Sequence, residues 1–392
     1  MRVLIAADKF KDSLTAAQAC EAIADGVRRT QPAWSVDQCP LTDGGEGFAS
    51  ILTEAARGEW TVCRVPGPRG EPVDAGFGVI EAARLPAAVL KRLGCAGEGR
   101  LAVIEMAAAS GLALLRADER DVWRAHTGGT GELIAAAIAR GVDGILLGVG
   151  GSATHDLGLG ALGVLGLELR DKKGVRVASA EPASWAETAS VRVEGLKRLP
   201  SIWIACDVTN PLLGPRGAAT VYAPQKGLRS EALARLEAES TRMAGLLCAS
   251  LGVEVEIAET PGAGAAGGIA FGLMAATGAR LVPGFELVGD WLRIGERLAA
   301  ADLVITGEGR FDDSSLQGKG PGSLVRAAVA LGKSVHVFAG RVDARETPGV
   351  RLHEVSPRDV PLADALANAG GWLRERTERE FSRGQSFGVD SR

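Results

Sequence analysis

Clusters of acidic, basic and glycine residues directly follow several apolar runs of the sequence. These clusters occupy residues 8–11, 43–47, 150–156, 207–210 and 306–312. Because the carboxyl ends of parallel strands face the ligand crevice of an open α/β sheet, we expect the clusters to meet at one site. Carboxylates and lysines beside glycine turns are suited to binding a phosphorylated ligand and its metal ion. The pattern therefore indicates chemistry on phosphate groups.

Two glycine-rich segments are candidates for binding phosphate. The first comprises Gly128, Gly129, Thr130 and Gly131, and the second comprises Gly150, Gly151, Ser152 and Thr154. A loop that leads from a strand into a helix presents backbone N–H groups and the positive helix end to an anion. At 128–131 a tight turn into the helix would also need glycine, so both interpretations stay open.

Four charged side chains are candidates for catalysis, namely Asp207, Asp156, Lys9 and Lys319. A carboxylate at the end of a strand can accept or orient the proton of a substrate hydroxyl, and we expect this role for Asp207 or Asp156. An Asx turn is the alternative for Asp207. Lys9 and Lys319 would offset the charge of a carboxylate or a transferring phosphate, although most lysines are only solvated.

Asp43 and Glu308 are the candidate ligands for Mg²⁺, because hard cations prefer carboxylate and phosphate oxygens. Helix N-caps or solvated turns are the alternative interpretation of both carboxylates. A lone histidine such as His155 is more typical of a local hydrogen-bond partner than of a catalyst. The six cysteines show no CxxC or Cys/His spacing, which argues against a structural zinc site.

Two runs fit the GxGxxG pattern of dinucleotide-binding loops, at 158–163 and 262–267. The first lies well past its strand and the second follows a weak strand, so helix packing is the better interpretation of both. The GKG run at 318–320 lacks the other residues of a Walker A loop. The sequence therefore argues against a P-loop fold.

The elements that carry these clusters predict an α/β fold. Runs from both ends of the chain would complete a flavodoxin-like doubly wound parallel sheet, and they lie at 2–7, 35–41, 302–309, 334–340 and 352–357. Thr15 and Gln18 are spaced as a capping box at the start of the first helix. We expect this flavodoxin-like domain to be discontinuous and to comprise residues 1–57 and 284–392.

The middle of the chain, residues 58–283, predicts an inserted second α/β domain. Its mixed sheet would contain a hairpin at 61–82 and strands at 101–107, 143–151, 201–209 and 218–224. A chain of 392 residues suits two domains, and two lobes imply a cleft.

Charge and hydropathy exclude several classes of partner. The net charge of -4 provides no field that favours nucleic acid or an anionic membrane surface. No run is typical of a signal peptide or a membrane span, so we expect a cytoplasmic protein. We expect small molecules as partners, and a homodimer stays open.

The ordered set of motifs resembles the bacterial type of the glycerate kinase family. The matching runs are ADKFKDSLTAAQ (7–18), TDGGEGF (42–48), VIEMAAASGLALL (103–115), GTGELI (129–134), GVGGSATHDLG (148–158), ACDVTNPLLGPRGAATVYAPQKG (205–227), PGAGAAGG (261–268) and ADLVITGEGRFDDSSLQGKGP (301–321). The family pattern has Asn and Gly where His155 and Leu157 stand.

The resemblance implies a flavodoxin-like domain joined to a restriction-endonuclease-like domain. It further implies transfer of the γ-phosphoryl group of ATP to D-glycerate, at O2, with release of 2-phosphoglycerate and ADP. With this activity, ATP and Mg²⁺ would be the ligands of the glycine loops and carboxylates. Three alternatives stay open, namely a glycerate 3-kinase giving 3-phosphoglycerate, a nicotinamide-dependent oxidoreductase and a non-catalytic sugar-acid-binding protein.

Overall fold

The protein is described by a computed structural model for residues 1–42, 44–317, 320–345 and 347–382. The strands of the described residues are β1 (Arg2–Ile5), β2 (Ser35–Gln38), β3 (Glu59–Pro66), β4 (Pro72–Glu81), β5 (Arg100–Glu105), β6 (Gly144–Gly148), β7 (Glu168–Arg170), β8 (Ser190–Arg192), β9 (Ser201–Ala205), β10 (Arg280–Val282), β11 (Leu303–Phe311), β12 (Ser334–Val342) and β13 (Val350–Glu354). Their α-helices are α1 (Ala16–Thr30), α2 (Phe48–Ala55), α3 (Ala87–Leu93), α4 (Ala107–Ser110), α5 (Gly128–Ala139), α6 (Leu159–Val164), α7 (Ala218–Tyr222), α8 (Leu233–Leu251), α9 (Ile269–Thr277), α10 (Gly284–Trp291), α11 (Ile294–Ala300), α12 (Asp313–Gln317), α13 (Pro321–Ala330), α14 (Leu362–Ala367) and α15 (Ala369–Ser382).

The chain divides into two compact units. The first unit combines Met1–Asp43 with Leu292–Arg392, and the second comprises Gly44–Trp291. Helix α2 packs on β4 and β5, and α10 packs on β9. Both helices therefore lie in the second unit, whereas the sequence pattern assigns them to the flavodoxin-like domain. The reason is that the buried side chains of α2, such as Phe48 and Leu52, find their apolar partners on the second sheet.

The first unit contains a parallel sheet with the strand order β2-β1-β11-β12-β13. Numbered along the unit, this is the 2-1-3-4-5 order of flavodoxin-like folds, so the predicted sheet is confirmed. Its central strands β1 and β11 each contain a buried apolar run, because both faces of a parallel sheet are covered; Val3, Ile5 and Ile305 are all buried. The capping box is also confirmed, since Thr15 Oγ1 accepts from the Gln18 N–H at 3.2 Å.

The second unit contains a mixed sheet with the strand order β10-β9-β6-β5-β4-β3. Strands β3, β4 and β5 are antiparallel neighbours, as the hairpin pattern predicts, whereas β5, β6, β9 and β10 run parallel. The predicted strand at 218–224 is wrong, because its first residues form α7. Ala218 and Ala219 are consecutive residues and are both fully buried beside α8. Consecutive residues can share the buried side of a helix, whereas in a half-buried strand they would point to opposite faces.

The helices of the described residues include none with the length and apolar character needed to span a membrane.

Candidate active site

The carboxyl edge of the second sheet brings together three of the clusters expected from the sequence. Glu105, Gly148 and Ala205 end the parallel neighbours β5, β6 and β9 in register, so the loops that follow leave the sheet at one edge. The turn at 44–47 lies against the same loops, since the Gly150 N–H donates to Gly44 O at 3.0 Å. A Cβ atom on Gly150 would lie 2.6 Å from the Cα of Gly45. Glycine is therefore required at 150 for this close approach.

Asp156 ties the loop after β6 to the start of α5. Its side chain is fully buried, and it accepts hydrogen bonds from the Thr127 N–H at 2.7 Å, the Thr127 hydroxyl at 2.8 Å and the Gly160 N–H at 3.0 Å. The Gly158 N–H adds a further bond at 3.2 Å. Burial raises the pKa of Asp156, while the bonds from Thr127 and Gly160 favour the charged form. These bonds position the two glycine segments, and the predicted part of Asp156 in orienting a substrate hydroxyl stays a prediction.

The glycines of the first segment allow α5 to pack closely. A Cβ atom on Gly129 would lie 1.9 Å from Pro66 O, and one on Gly131 would lie 2.7 Å from the Cα of Ala161. Close packing therefore requires glycine at these two positions, and the role of the segment in binding phosphate stays a prediction. The N–H groups of Gly129 and Thr130 have no hydrogen-bond partner among the described residues, as is common in the first turn of a helix. Both residues are buried, so only an anion that enters the site at the start of α5 could bond them.

The second segment is held over a buried lysine. Lys226 is only 2% exposed, and its Nζ donates to Ser152 Oγ at 2.8 Å and to Thr154 O at 2.7 Å. Burial lowers the pKa of Lys226 to about 7, whereas the nearby Asp156 raises it. Gly151 above the lysine is exposed, and within the described chain no hydrogen bond uses its N–H. The side chain of Lys226 thus supports the same loop that carries the unbonded Gly151 N–H.

Lys226 is the principal site residue that the sequence analysis missed. It is the only charged residue between Arg216 and Arg229. A single lysine inside a run of small and apolar residues is a signal of burial, because lysines are rarely buried without a purpose or a partner.

Asp207 lies at the end of β9 and is half-buried. Its Oδ2 accepts a hydrogen bond from the Phe285 N–H at 2.9 Å, at the start of α10. The carboxylate therefore caps a helix that is distant in sequence, rather than acting only in a local turn. Its role as the acceptor of a hydroxyl proton stays a prediction.

The two departures from the family pattern are both buried. His155 Nε2 lies 3.0 Å from Ser240 Oγ, and burial lowers the pKa of His155 to about 3, so the ring is neutral. This is the local hydrogen-bond role expected of a lone histidine. Leu157 has φ of 55°, a left-handed backbone conformation that favours the glycine of the family pattern.

Most glycines of the two GxGxxG runs allow close packing, whereas a Cβ atom on Gly163 would have no atom within 4 Å. A Cβ atom on Gly267 would lie 2.0 Å from Thr154 O, and one on Gly264 would lie 2.2 Å from Pro211 O. In the other run, one on Gly160 would lie 2.8 Å from Asp156 Oδ2. These approaches agree with the packing interpretation of both runs.

In the first unit, Glu308 lies near the carboxyl end of β11 with acidic neighbours. The pKa of Glu308 is raised to about 7, and burial is the largest cause. The nearby charges of Asp8 and Asp312 also raise this pKa, whereas a hydrogen bond from Ser315 lowers it. Its Oε1 is buried and has no hydrogen-bond partner among the described residues. Lys9 follows Asp8 in the sequence, and its backbone N–H donates to Asp8 Oδ1 at 2.7 Å. The predicted residues Asp43 and Lys319 lie outside the described residues.

A second polar cluster of the first unit consists of His336, His353 and Glu380. His353 Nε2 and His336 Nδ1 lie 3.0 Å apart in a hydrogen bond, in which one ring donates its N–H to the lone pair of the other, so these two nitrogens are bonded to each other rather than to a common ligand. Burial lowers the pKa of His336 to about 4 and that of His353 to about 3, which keeps both rings neutral. The pair serves the packing of α15 on the sheet.

Comparison with known proteins assigns this arrangement to a family. The sequence model described as "Glycerate kinase family" matches residues 3–383. The chain belongs to the glycerate kinase family. It is therefore an enzyme with kinase activity on a small molecule, and the family implies ATP as the co-substrate.

Similar proteins of the glycerate kinase family cover nearly the whole chain. A glycerate kinase of Bacillus subtilis is 38% identical over 97% of both chains. A glycerate 2-kinase of Escherichia coli is 38% identical over 87% of this chain and 85% of its own. A crystal structure of a candidate glycerate kinase 2 from Salmonella typhimurium LT2 matches with a TM-score of 0.75, 38% identity and 97% coverage of both chains.

Proposed function

We propose that this enzyme transfers the γ-phosphoryl group of ATP to the 2-hydroxyl of D-glycerate and releases 2-phosphoglycerate and ADP. The observation that carries the proposal is the exposed Gly151 loop, whose backbone donors lie over the buried cation of Lys226. Phosphoryl transfer needs positioning and electrostatic stabilisation more than covalent participation, and this loop offers both. The similarity to a protein named glycerate 2-kinase supports the 2-hydroxyl as the acceptor.

The triphosphate would bind the backbone donors of the second unit. The N–H groups of Gly151 and Ser152, with those of Gly129 and Thr130 at the start of α5, are donors without partners among the described residues. Backbone donors and the positive helix end stabilise phosphate without any reorganisation during the reaction. Lys226 adds a positive charge that sets the conformation of the loop through Ser152.

Mg²⁺ fits the acidic cluster of the first unit. The buried Oε1 of Glu308 lacks a partner among the described residues, and a hard cation would bond that oxygen and also lower the raised pKa of the carboxyl. Glu308 would hold the ion, with Asp43 as the second ligand expected from the sequence. A bound Mg²⁺ would supply neutralisation of charge on the phosphate oxygens.

The remaining predicted residues would act on the acceptor. Asp207 would accept or orient the proton of the glycerate hydroxyl, with Asp156 as the alternative. Lys9 and Lys319 would offset the glycerate carboxylate or the transferring phosphate. These assignments rest on residue type and on the sequence pattern.

Product analysis tests the proposal directly. The purified protein is incubated with Mg-ATP and D-glycerate, and phosphorus NMR separates 2-phosphoglycerate from 3-phosphoglycerate. We expect 2-phosphoglycerate, with ADP released in equal amount. L-glycerate and hydroxypyruvate serve as controls for acceptor choice in a coupled ADP-release assay. A product phosphorylated at O3 would replace the proposal by the 3-kinase alternative, and no turnover with any of these acceptors would refute it.

A further inference from the structure

A pocket of about 240 Å³ opens in the second unit beside the N-terminus of α5 and the C-terminal half of α6. Its wall is mostly apolar and includes Val164, Leu167, Leu169 and Val177. Gly128, the first residue of α5, and Gly163 of α6 also line it. Nothing in the reaction described above uses this space. We propose that the pocket binds the adenine base of ATP.

The chemistry of the wall favours a base over the other parts of the two substrates. An adenine ring has apolar faces that gain from contact with aliphatic side chains, and its polar edge needs only a few directed hydrogen bonds. The backbone at Ala178 forms a bend that lines the pocket, and its N–H and C=O have no partner among the described residues. The wall also contains His126, Arg176 and Ser179, but most of it is apolar, so a charged glycerate or triphosphate placed there would lose more hydration than these side chains replace.

The size of the pocket also limits its occupant. Sites that enclose a whole drug-sized ligand have volumes of roughly 300–1,000 Å³, so 240 Å³ suits one ring system rather than a complete nucleotide. The ribose and the phosphates would have to extend out of the pocket.

A continuous wall leads from the pocket toward the proposed phosphate loop. Gly128 begins α5, and two residues later Thr130 Oγ1 lies 2.8 Å from Ser110 Oγ. Ser110 O in turn accepts from the Ala153 N–H at 2.9 Å, next to Ser152. A base in the pocket would therefore be linked, along this wall, to phosphates at the Gly151 loop. The inference rests on the proposed function, because it assigns one part of the co-substrate of that reaction.

Gly163 offers a way to fill the pocket without disturbing the helix. It lies within α6 and has no positive φ, and a Cβ atom placed on it would have no atom within 4 Å. The substitution Gly163→Leu therefore places a side chain in open space. Gly245 in α8 is the matched control, since it is also helical and also has nothing within 4 Å of a new Cβ.

We expect Gly163→Leu to raise the KM for ATP by about ten-fold, because the added side chain competes with the base. The KM for glycerate and the kcat at saturating ATP should stay at the parent values. Isothermal titration with ADP alone should show the same loss of affinity, and competition by tripolyphosphate, which has no base, should be unchanged. Gly245→Leu should leave all five quantities as in the parent.

The series Gly163→Ala, Gly163→Val and Gly163→Leu keeps the test decisive if the largest variant folds poorly. The loss of ADP affinity should grow with side-chain size. Unchanged ADP affinity in all three folded variants would overturn the inference, as would a rise in the KM for glycerate alone or an equal loss of tripolyphosphate binding. If the parent enzyme binds ADP but does not phosphorylate glycerate, the proposed function fails while the ADP series still decides the pocket.

Discussion

Two carboxyl groups with raised pKa, Asp156 in the second unit and Glu308 in the first, differ in how their oxygens are hydrogen-bonded. Burial is the largest cause of the raised pKa in both. Asp156 accepts hydrogen bonds from Thr127, Gly158 and Gly160, so its oxygens are occupied by its own loops. Glu308 retains a buried oxygen with no partner among the described residues.

The difference is one of hydrogen-bond satisfaction rather than of burial. A buried acceptor that is fully bonded stabilises the fold, whereas a buried acceptor without a donor costs free energy until a ligand or an ion bonds it. Asp156 should therefore matter most for stability and Glu308 most for activity. Substitutions can therefore separate a role in stability from a role in activity.

The largest effect is expected from Asp156→Ala. The substitution leaves the N–H groups of Thr127, Gly158 and Gly160 without their acceptor in a buried site, which should lower the free energy of unfolding by about 4 kcal/mol. Urea unfolding monitored by tryptophan fluorescence measures this change. Asp171→Ala is the control, because Asp171 bonds only the backbone of a more exposed turn and should cost about 1 kcal/mol. Equal losses from the two variants would contradict the contrast.

The sequence made the main sheet and the glycine loops predictable. Parallel strands that are buried on both faces, such as β1 and β11, contain continuous apolar runs in the sequence. Polar residues that follow such runs, among them Glu308 and Asp207, could therefore be predicted near the carboxyl ends of strands. Gly150 could be singled out for the same reason. What the pattern could not supply is which of these residues is bonded to its own protein.

Side-chain partners distant in sequence account for what could not be predicted. The donors to Asp156 come partly from Thr127, and Lys226, which bonds Ser152, lies two residues past the predicted strand at 218–224. Helix α2 lies in the second unit because of apolar contacts with β4 and β5, which local periodicity does not reveal. Fold class follows from periodicity, whereas hydrogen-bond satisfaction depends on tertiary contacts.

The next effect concerns Glu308→Gln, which tests the activity side of the contrast. A neutral amide oxygen binds a hard cation more weakly than a carboxylate does, so we expect kcat to fall by about 100-fold with the fold intact. Steady-state kinetics with varied Mg²⁺ measures the loss. Glu354→Gln is the matched control in the same sheet, since Glu354 ends β13 but is already paired with Arg341 and Arg358. Near-parent turnover of Glu308→Gln would remove Glu308 from the proposed mechanism.

The raised pKa of Glu308 also fixes the direction of two pH effects. In the parent, kcat/KM should fall as the pH drops below about 7, because the carboxyl of the free enzyme becomes protonated. Stability runs the opposite way: the folded pKa is above the unfolded one, so the stabilisation present below about pH 4.5 is lost as the pH rises through 7. Glu308→Gln should therefore be more stable than the parent at pH 8 and should lack the acid limb of kcat/KM.

The smallest effect is expected from Lys226→Met, which separates a positioning cation from a structural one. Methionine has a similar shape and avoids the cost of burying a charge, so the free energy of unfolding should change by less than about 1 kcal/mol. Without the bonds to Ser152 Oγ and Thr154 O, however, the Gly151 loop loses its support, and the KM for ATP should rise by about ten-fold. Lys172→Met, at an exposed position, is the control and should change neither quantity. A loss of stability with an unchanged KM for ATP would show that Lys226 stabilises the fold and does not support ATP binding. The contrast between hydrogen-bonded and unbonded groups would then depend on Asp156 and Glu308.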